Sequence, residues 1–193
     1  MEVWFAKGAV LAASAAMVAI RAPHGQRSIS VPVATDRKGP REFALLAVAW
    51  IAFFVPLVWV ATPLLARGDH PLRPLPFAAG SLLLAIGLWL FHRSHVDLGT
   101  NWSISLEVRE GHRLVREGLY RYVRHPMYLS LSLYAAGQWL LLPNRLAGPS
   151  YAAAMALLIA LRIGPEERMM RERFGPAYED YAKRTKRLFP GLW

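Results

Sequence analysis

The chain has 193 residues, 54% of them hydrophobic, no cysteine and a formal net charge of +10. One domain is expected at this length, and the absence of cysteine excludes disulfides, thiolate metal sites and a cysteine nucleophile. Hydrophobicity combined with strong positive charge is typical of a nucleic-acid binder or of a membrane protein with basic loops. Because the arginines fall almost wholly between long apolar blocks, little polar face is left for nucleic acid. The sequence therefore predicts a membrane protein that binds membrane lipids and no nucleic acid.

Five stretches are apolar and long enough to cross, or nearly cross, a bilayer: about 3–20, 43–66, 75–91, 127–142 and 149–163. A crossing takes roughly 20 helical residues, so the last two stretches are short and should extend into the interface. The tight connection "LLPNRLAG" between them predicts an antiparallel helical hairpin. Further on, "ERFGPAYEDYAKRTKR" predicts an interfacial helix. We expect an all-α, polytopic integral membrane protein with about five transmembrane helices and a C-terminal interfacial helix.

The first apolar stretch has a second interpretation, a cleaved signal peptide, because "AASAA" offers small residues for cleavage. However, the leading "MEVWFAK" has no net charge and the basic "RAPHGQR" follows the apolar stretch. This order is the reverse of a signal peptide, so we expect a retained helix. The longer segment "RAPHGQRSISVPVATDRKGPRE" contains proline, glycine and serine without periodicity and predicts an ordinary loop.

Lysine and arginine lie mainly on one side of the predicted membrane. Nineteen fall in the loops after the first and third helices and from residue 162 onward, whereas the two opposite loops hold three, Arg67, Arg73 and Arg145. This bias predicts an N-terminus outside and a cytoplasmic C-terminus. Arginine outnumbers lysine and alanine is abundant, which is typical of a GC-rich bacterial genome, so we expect a bacterial inner membrane.

Two polar blocks, 92–126 and 162–193, flank the closing hairpin and should meet at its cytoplasmic mouth. We therefore divide the chain into N-terminal transmembrane helices, 1–91, and a C-terminal core, 92–193. The first block ends "EGHRLVREGLYRYVRHPMY". Pro126 suits the first turn of a helix, whose free N–H groups would face the cytoplasm and favour a carboxylate or phosphate. The arginines of this block most simply hold topology and contact lipid headgroups.

The second polar block begins "LRIGPEERMM". Arg162, Glu166 and Glu167 stand where the apolar run ends, and ionisable groups at that depth usually indicate a functional site. Arg162 and Glu166 share a helix face if the helix continues through Gly164-Pro165, and an ion pair that merely closes the helix is the structural alternative. The same dipeptide could instead kink the helix and start a second segment. The sequence shows no phosphate-binding loop, metal-ligand spacing or serine-nucleophile motif.

Taken in order, "GHRLVREGLYRYVRHPMY", a short hairpin, "RIGPEE" and "FGPAYEDYAKRTKRLFPGL" resemble the isoprenylcysteine carboxyl methyltransferase family and the wider group that includes phospholipid N-methyltransferases. The resemblance covers roughly residues 97–193, while residues 1–90 match only as generic membrane helices. It implies an S-adenosyl-L-methionine-dependent methyltransferase whose cofactor is held at the cytosolic mouth. Carried over by position, it implies cofactor binding by His112, Arg113, Leu114, Val115, Tyr120, His125, Pro126, Met127, Tyr128 and Glu166.

The same resemblance places Arg162 near the acceptor and the transferred methyl, and counts Arg162, Glu166 and Glu167 as catalytic without separating the roles of the two glutamates. These residue types suit the cofactor, because a glutamate can bind its ammonium and aromatic rings its adenine and sulfonium. The acceptor is expected to be lipophilic; a prenylcysteine carboxylate, a phospholipid amine and a small thiol all remain open. Two functions of other classes are an NADPH-dependent sterol-type membrane reductase and a non-catalytic membrane protein with the same scaffold.

Overall fold

The computed structural model describes residues 2–29, 33–36, 39–102, 107–109, 111 and 113–191. Within these ranges the chain forms six α-helices, three short 3-10 helices and two short strands, so the all-α prediction is confirmed. The elements are α1 (Val3–Ile29), β1 (Val33–Asp36), α2 (Pro40–Ala61), α3 (Pro74–Leu98), β2 (Glu107–Arg109), α4 (Pro126–Leu141), α5 (Ala147–Phe174) and α6 (Pro176–Arg184).

Four of the described helices, α1, α2, α3 and α5, are long and apolar enough to cross a membrane. The protein is therefore a polytopic integral membrane protein. Helix α4 has 16 residues, which corresponds to about 24 Å at 1.5 Å per residue and is shorter than a hydrocarbon core of about 30 Å. The prediction of about five membrane helices thus corresponds to four helices of full length and one shorter helix.

Helices α3 and α4 pack with their backbones in contact. A Cβ atom added at Gly80 would lie 2.6 Å from the carbonyl oxygen of Gly137, and one added at Gly87 would lie 2.8 Å from the backbone nitrogen of Tyr134. Only glycine permits such an approach, as is common where membrane helices cross closely. The earlier glycine of α3, Gly80, meets the later residue of α4, Gly137, and Gly87 meets Tyr134. The two helices are therefore antiparallel.

The connection between α4 and α5 is fastened to the connection between α2 and α3. The Asn144 amide donates hydrogen bonds to Leu65 O at 2.8 Å and to Asp69 Oδ1 at 2.7 Å. Its Oδ1 atom accepts from the backbone N–H groups of Leu146 and Ala147, at the start of α5. The predicted hairpin is present, and α4 reaches the same end of the bundle as the α2–α3 connection despite its short length.

Three helices, α1, α3 and α5, continue well beyond the ends of their predicted apolar stretches; α3 runs to Leu98, whereas its stretch ended at about residue 91. Helix α1 runs to Ile29, so part of the segment expected to be an ordinary loop is helical, and β1 within that segment pairs antiparallel with β2. Helix α5 continues through Gly164-Pro165 to Phe174 as one element. Pro165 therefore does not start a separate helix. A membrane helix tolerates the N–H that proline lacks when neighbouring helices support it.

The two polar blocks meet at the other end of the bundle, as the sequence predicts. The backbone N–H of Arg124 donates to Lys186 O at 2.8 Å. The Tyr181 hydroxyl of α6 donates to the carbonyl oxygen of Tyr120 at 2.5 Å. Helix α6 therefore folds back against the connection that precedes α4.

Candidate functional site

One cavity opens between α1, α2, α4, α5, α6 and the connection before α4. We define its apolar end by side chains from the membrane helices: Met17, Val18, Leu46, Ala49, Phe53, Leu131, Met155 and Leu158. We define its polar end by side chains from the meeting point of the two polar blocks: Tyr120, His125, Tyr128, Glu166, Tyr178 and Tyr181. Along α5, Leu158, Arg162 and Glu166 follow at intervals of four residues and lie on the helix face that lines the cavity.

Most of the site residues that the sequence predicts line this cavity. Those lining it are Arg113, Leu114, Val115, Tyr120, His125, Met127, Tyr128, Arg162 and Glu166. Pro126 does not line the cavity; it is the first residue of α4, and its fixed φ favours the start of that helix. Glu167 does not line the cavity either, and His112 lies outside the described residues.

Glu166 is held at the polar end by two side chains that precede it by about forty positions in the chain. The Tyr128 hydroxyl donates a hydrogen bond to Glu166 Oε2, and His125 Nδ1 lies 3.6 Å from Oε1. The His125 ring stacks on the Tyr128 ring with 5.4 Å between centroids. Burial favours the neutral imidazole, but hydrogen bonds and charge from Glu166 and Glu167 outweigh it and raise the pKa of His125.

Glu167 is fully buried and lies in a network of cations. Its Oε1 atom accepts from Arg124 Nη2 at 2.6 Å, and its Oε2 atom accepts from Arg187 Nη2 at 3.0 Å. His125 Nε2 is 3.4 Å from Oε1. Arg124 also donates to the carbonyl oxygens of residues 182 and 185. Glu167 therefore joins α5 to the start of α4 and to the C-terminal segment.

Arg162 has a partner that the sequence analysis did not identify. Its Nη2 atom lies 3.1 Å from Oε1 of Glu42, the acidic residue in the first turn of α2, and both side chains are buried. Arg162 also attracts Glu166 electrostatically. A buried carboxylate from α2 thus fixes the guanidinium at the point where the apolar and polar ends meet.

Several residues that line the cavity were missed or were given no role. Arg21 of α1 lies over two indole rings, 5.3 Å from the Trp102 centroid and 5.9 Å from that of Trp50. Tyr178 and Tyr181, three apart on α6, lie in the segment that was predicted only as an interfacial helix; burial raises the pKa of Tyr178 to about 12. The i,i+3 spacing of these tyrosines was an available signal, whereas the Arg21 signal was lost because α1 was expected to end at residue 20.

Comparison with known proteins finds the same family over the central part of the chain. Residues 81–172 match the model of the isoprenylcysteine carboxyl methyltransferase (ICMT) family. The chain is 29% identical over 108 residues to protein-S-isoprenylcysteine O-methyltransferase B of Arabidopsis thaliana, covering 55% of each chain. It is 30% identical over 109 residues to the Schizosaccharomyces pombe protein-S-isoprenylcysteine O-methyltransferase, covering 55% of this chain and 46% of that one. The chain spans about half the length of these curated relatives.

A solved structure has a similar fold. The eukaryotic intramembrane Ras methyltransferase ICMT, without a monobody, aligns with a TM-score of 0.56 and 24% identity, covering 82% of this chain and 55% of that chain. At this identity the likeness concerns the fold. The region matched by the family model includes the start of α4, the hairpin and both glutamates of α5. Over residues 81–172 the chain is therefore similar in sequence to the isoprenylcysteine carboxyl methyltransferase family, and it shares the fold of a solved member.

Proposed function

We propose that this chain is an S-adenosyl-L-methionine-dependent membrane methyltransferase that transfers a methyl group to a lipophilic acceptor, in the manner of an isoprenylcysteine carboxyl O-methyltransferase. The observation that carries the proposal is a continuous cavity whose polar end holds Glu166 and whose apolar end lies between membrane helices. A polar cofactor and a lipophilic acceptor could enter such a cavity from opposite ends. The family match supports the same chemistry.

The polar end fits the functional groups of the cofactor, which when bound supplies an activated methyl group on a sulfonium. Glu166 is placed to bind an ammonium group, since its carboxylate faces the cavity and is oriented by Tyr128. The free backbone N–H groups in the first turn of α4 suit a carboxylate. The rings of Tyr120 and Tyr178 offer aromatic faces for an adenine or a sulfonium.

We assign the polar end to residues 92–193 and the apolar end largely to α1, α2 and the hairpin. Cofactor binding is assigned to His112, Arg113, Leu114, Val115, Tyr120, His125, Pro126, Met127, Tyr128 and Glu166. Glu167 is assigned a positioning role, because its four basic neighbours occupy both of its carboxylate oxygens. Its network fixes the segment that carries His125 at the start of α4.

Arg162 is assigned to the transfer step. It lies one helical turn from Glu166 and one turn from Leu158, between the two ends of the cavity, and Glu42 fixes its guanidinium. Methyl transfer is an in-line displacement that needs alignment and exclusion of water rather than a protein nucleophile. The apolar end excludes water, and the Arg162 guanidinium can orient the attacking atom of the acceptor.

The cofactor assignment is tested by calorimetry on detergent-purified protein with S-adenosylmethionine, S-adenosylhomocysteine and NADPH. We expect both adenosyl ligands to bind and Glu166→Gln to weaken them about tenfold or more, because it removes a charge-assisted contact. Glu179→Gln is the matched control, since Glu179 is exposed on α6. Binding of NADPH alone would support the reductase instead, and binding of no nucleotide would support a non-catalytic protein.

The acceptor class is tested separately with radiolabelled S-adenosylmethionine and three lipophilic acceptors. These are a prenylcysteine with a free carboxylate, a phospholipid with a primary amine and a long-chain thiol. We expect the label in a base-labile ester of the carboxylate. Transfer only to the amine or the thiol would contradict the O-methyltransferase proposal while leaving the cofactor assignment intact.

A further inference from the structure

Arg21 lines the cavity about two helical turns before the end of α1. Its guanidinium lies over the rings of Trp50 of α2 and of Trp102. Such cation–π contacts attract the guanidinium to the rings, but they do not neutralise its charge. Arg21 lies outside the region that the family model matches, so the family resemblance assigns it no role.

The charges of the four arginines that line the cavity are balanced differently. Arg124 and Arg162 are each paired with a buried glutamate. Arg113 is exposed to solvent. Arg21 is partly buried, and no carboxylate lies within ion-pair distance of it among the residues whose side chains the structure describes, a set without Asp36 and Glu107. Arg21 is therefore the partly buried cation of this cavity whose charge the described chain leaves unbalanced.

The neighbours of Arg21 define what could balance that charge. Arg162 repels Arg21 electrostatically, and the Tyr151 ring and hydroxyl are close by. Met17 and Val18, one turn earlier on α1, belong to the apolar end. A cation at membrane depth is costly unless a counter-charge accompanies it. A ligand that places an anion at Arg21 and hydrocarbon against α1 and α2 would meet both conditions.

We propose that Arg21 is a specificity-determining residue that binds the anionic terminal group of the acceptor, a carboxylate, and so selects it over neutral and cationic acceptors. This inference rests on the proposed function and deepens it. A guanidinium can bind a carboxylate through two parallel hydrogen bonds. Arg162, whose charge is balanced by Glu42, then orients the acceptor, while Arg21 supplies the net positive charge that recognises it.

The cofactor also carries a carboxylate, so the experiment must separate the two sources of the same chemistry. The probes are N-acetyl-S-farnesylcysteine and its primary amide, which share one hydrocarbon chain and differ in charge. Dissociation constants are measured without cofactor by quenching of tryptophan fluorescence, and the ratio of amide to acid is compared between variants. The affinity for S-adenosylhomocysteine is measured in parallel by calorimetry.

We expect the protein to prefer the acid by about tenfold or more, as a charge-assisted pair predicts. Arg21→Gln should bring the ratio close to one and leave the affinity for S-adenosylhomocysteine unchanged, while Arg21→Lys should keep part of the preference. The matched control is Lys7→Gln. Lys7 is a second cation of α1 stacked on two tryptophans, 5.2 and 5.4 Å from their centroids, and it does not line the cavity.

An unchanged ratio in Arg21→Gln, or no preference for the acid in the unmodified protein, overturns the inference. Weaker binding of S-adenosylhomocysteine with an unchanged ratio would show that Arg21 binds the cofactor instead, which also overturns it. The ratio is taken within one variant, so a partly unfolded preparation weakens both probes equally. Because the ratio needs no cofactor, failure of the methyltransferase proposal is seen separately, as a lack of S-adenosylhomocysteine binding.

Discussion

Two adjacent glutamates on α5 have different surroundings because successive helical residues point about 100° apart. Glu166 contacts Tyr128 and faces the cavity. Glu167 points into the protein and accepts hydrogen bonds from Arg124 and Arg187. Glu166 is thereby available to a ligand, whereas the charge of Glu167 is already matched by the chain. Their different hydrogen-bond partners support the separate roles that we propose for the two glutamates.

His125 contacts both glutamates, and its ionisation should couple the site to pH. Burial disfavours the imidazolium, but Glu166 and Glu167 outweigh burial and raise its pKa above the ordinary 6.5. The folded protein then binds the proton more tightly than the unfolded chain does. The stabilisation is fully present below about pH 6.5 and is lost as pH rises through the folded-state pKa. We expect the stability advantage of the unmodified protein over His125→Gln to shrink between about pH 6 and pH 9.

This prediction is checked by thermal melts of the two proteins in detergent across that pH range. His70→Gln is the control, because His70 is exposed at the opposite end of the bundle. A stability difference at His125 that grows with pH would show that the neutral imidazole is the favoured form, contrary to the expectation.

At the level of elements, the contact between α3 and α4 fixes where the site forms. Gly137→Ala would place a methyl 2.7 Å from the Gly80 carbonyl oxygen, so the helices would have to separate. We expect a loss of about 1–3 kcal/mol in the free energy of unfolding, as for other overpacked contacts. Binding of S-adenosylhomocysteine should weaken too, because the start of α4 carries part of the polar end.

The measurement is a thermal melt in detergent together with calorimetry. Gly8→Ala is the matched control: a Cβ atom there meets nothing within 4 Å, and alanine favours a helix by up to about 1 kcal/mol over glycine. It should leave stability unchanged or slightly raised. Equal melting temperatures for Gly137→Ala and the unmodified protein would contradict close packing of α3 on α4.

The helices were predictable from the sequence because apolar stretches of membrane length have few alternatives to helix. Their ends were not, because hydropathy reports contact with lipid rather than helical hydrogen bonding. The polar turns that extend α1 over 21–29 and α3 over 92–98 were therefore not predicted, and the continuation of α5 through 164–174 was left open as one of two alternatives. The pairing of β1 with β2 joins segments more than seventy residues apart. Two strands of three or four residues carry no periodic signal that would reveal it.

The candidate site was predictable where short motifs carry it and was not predictable elsewhere. The motifs around residues 113–128 and 162–167 contain most of the residues that line the polar end of the cavity. Glu42, Arg21 and Trp102 come from segments without a motif. Their convergence depends on how α1 and α2 rotate and pack against α5, and no local pattern in one chain specifies that rotation.

At the scale of the whole molecule, the two ends of the helix bundle differ in the number of basic residues and in which of them holds the polar end of the cavity. At the end that carries Arg67, Arg73 and Arg145, the hydrogen bond from Asn144 to Asp69 joins the two helix connections. The other end carries the polar blocks and the polar end of the cavity. The positive-inside bias predicts that this second end faces the cytoplasm, and the proposed cofactor, which is cytoplasmic, predicts the same orientation.

This orientation can be tested by labelling single cysteines, because the chain contains none of its own. Arg145 and Lys183 are both exposed and lie at opposite ends of the bundle. We expect a membrane-impermeant maleimide to label Arg145→Cys in intact cells, and to label Lys183→Cys only after the membrane is permeabilised. Equal labelling after permeabilisation controls for reactivity. Labelling of Lys183→Cys alone in intact cells would place the polar end of the cavity outside, away from the cofactor, and would contradict both the orientation and the proposed reaction.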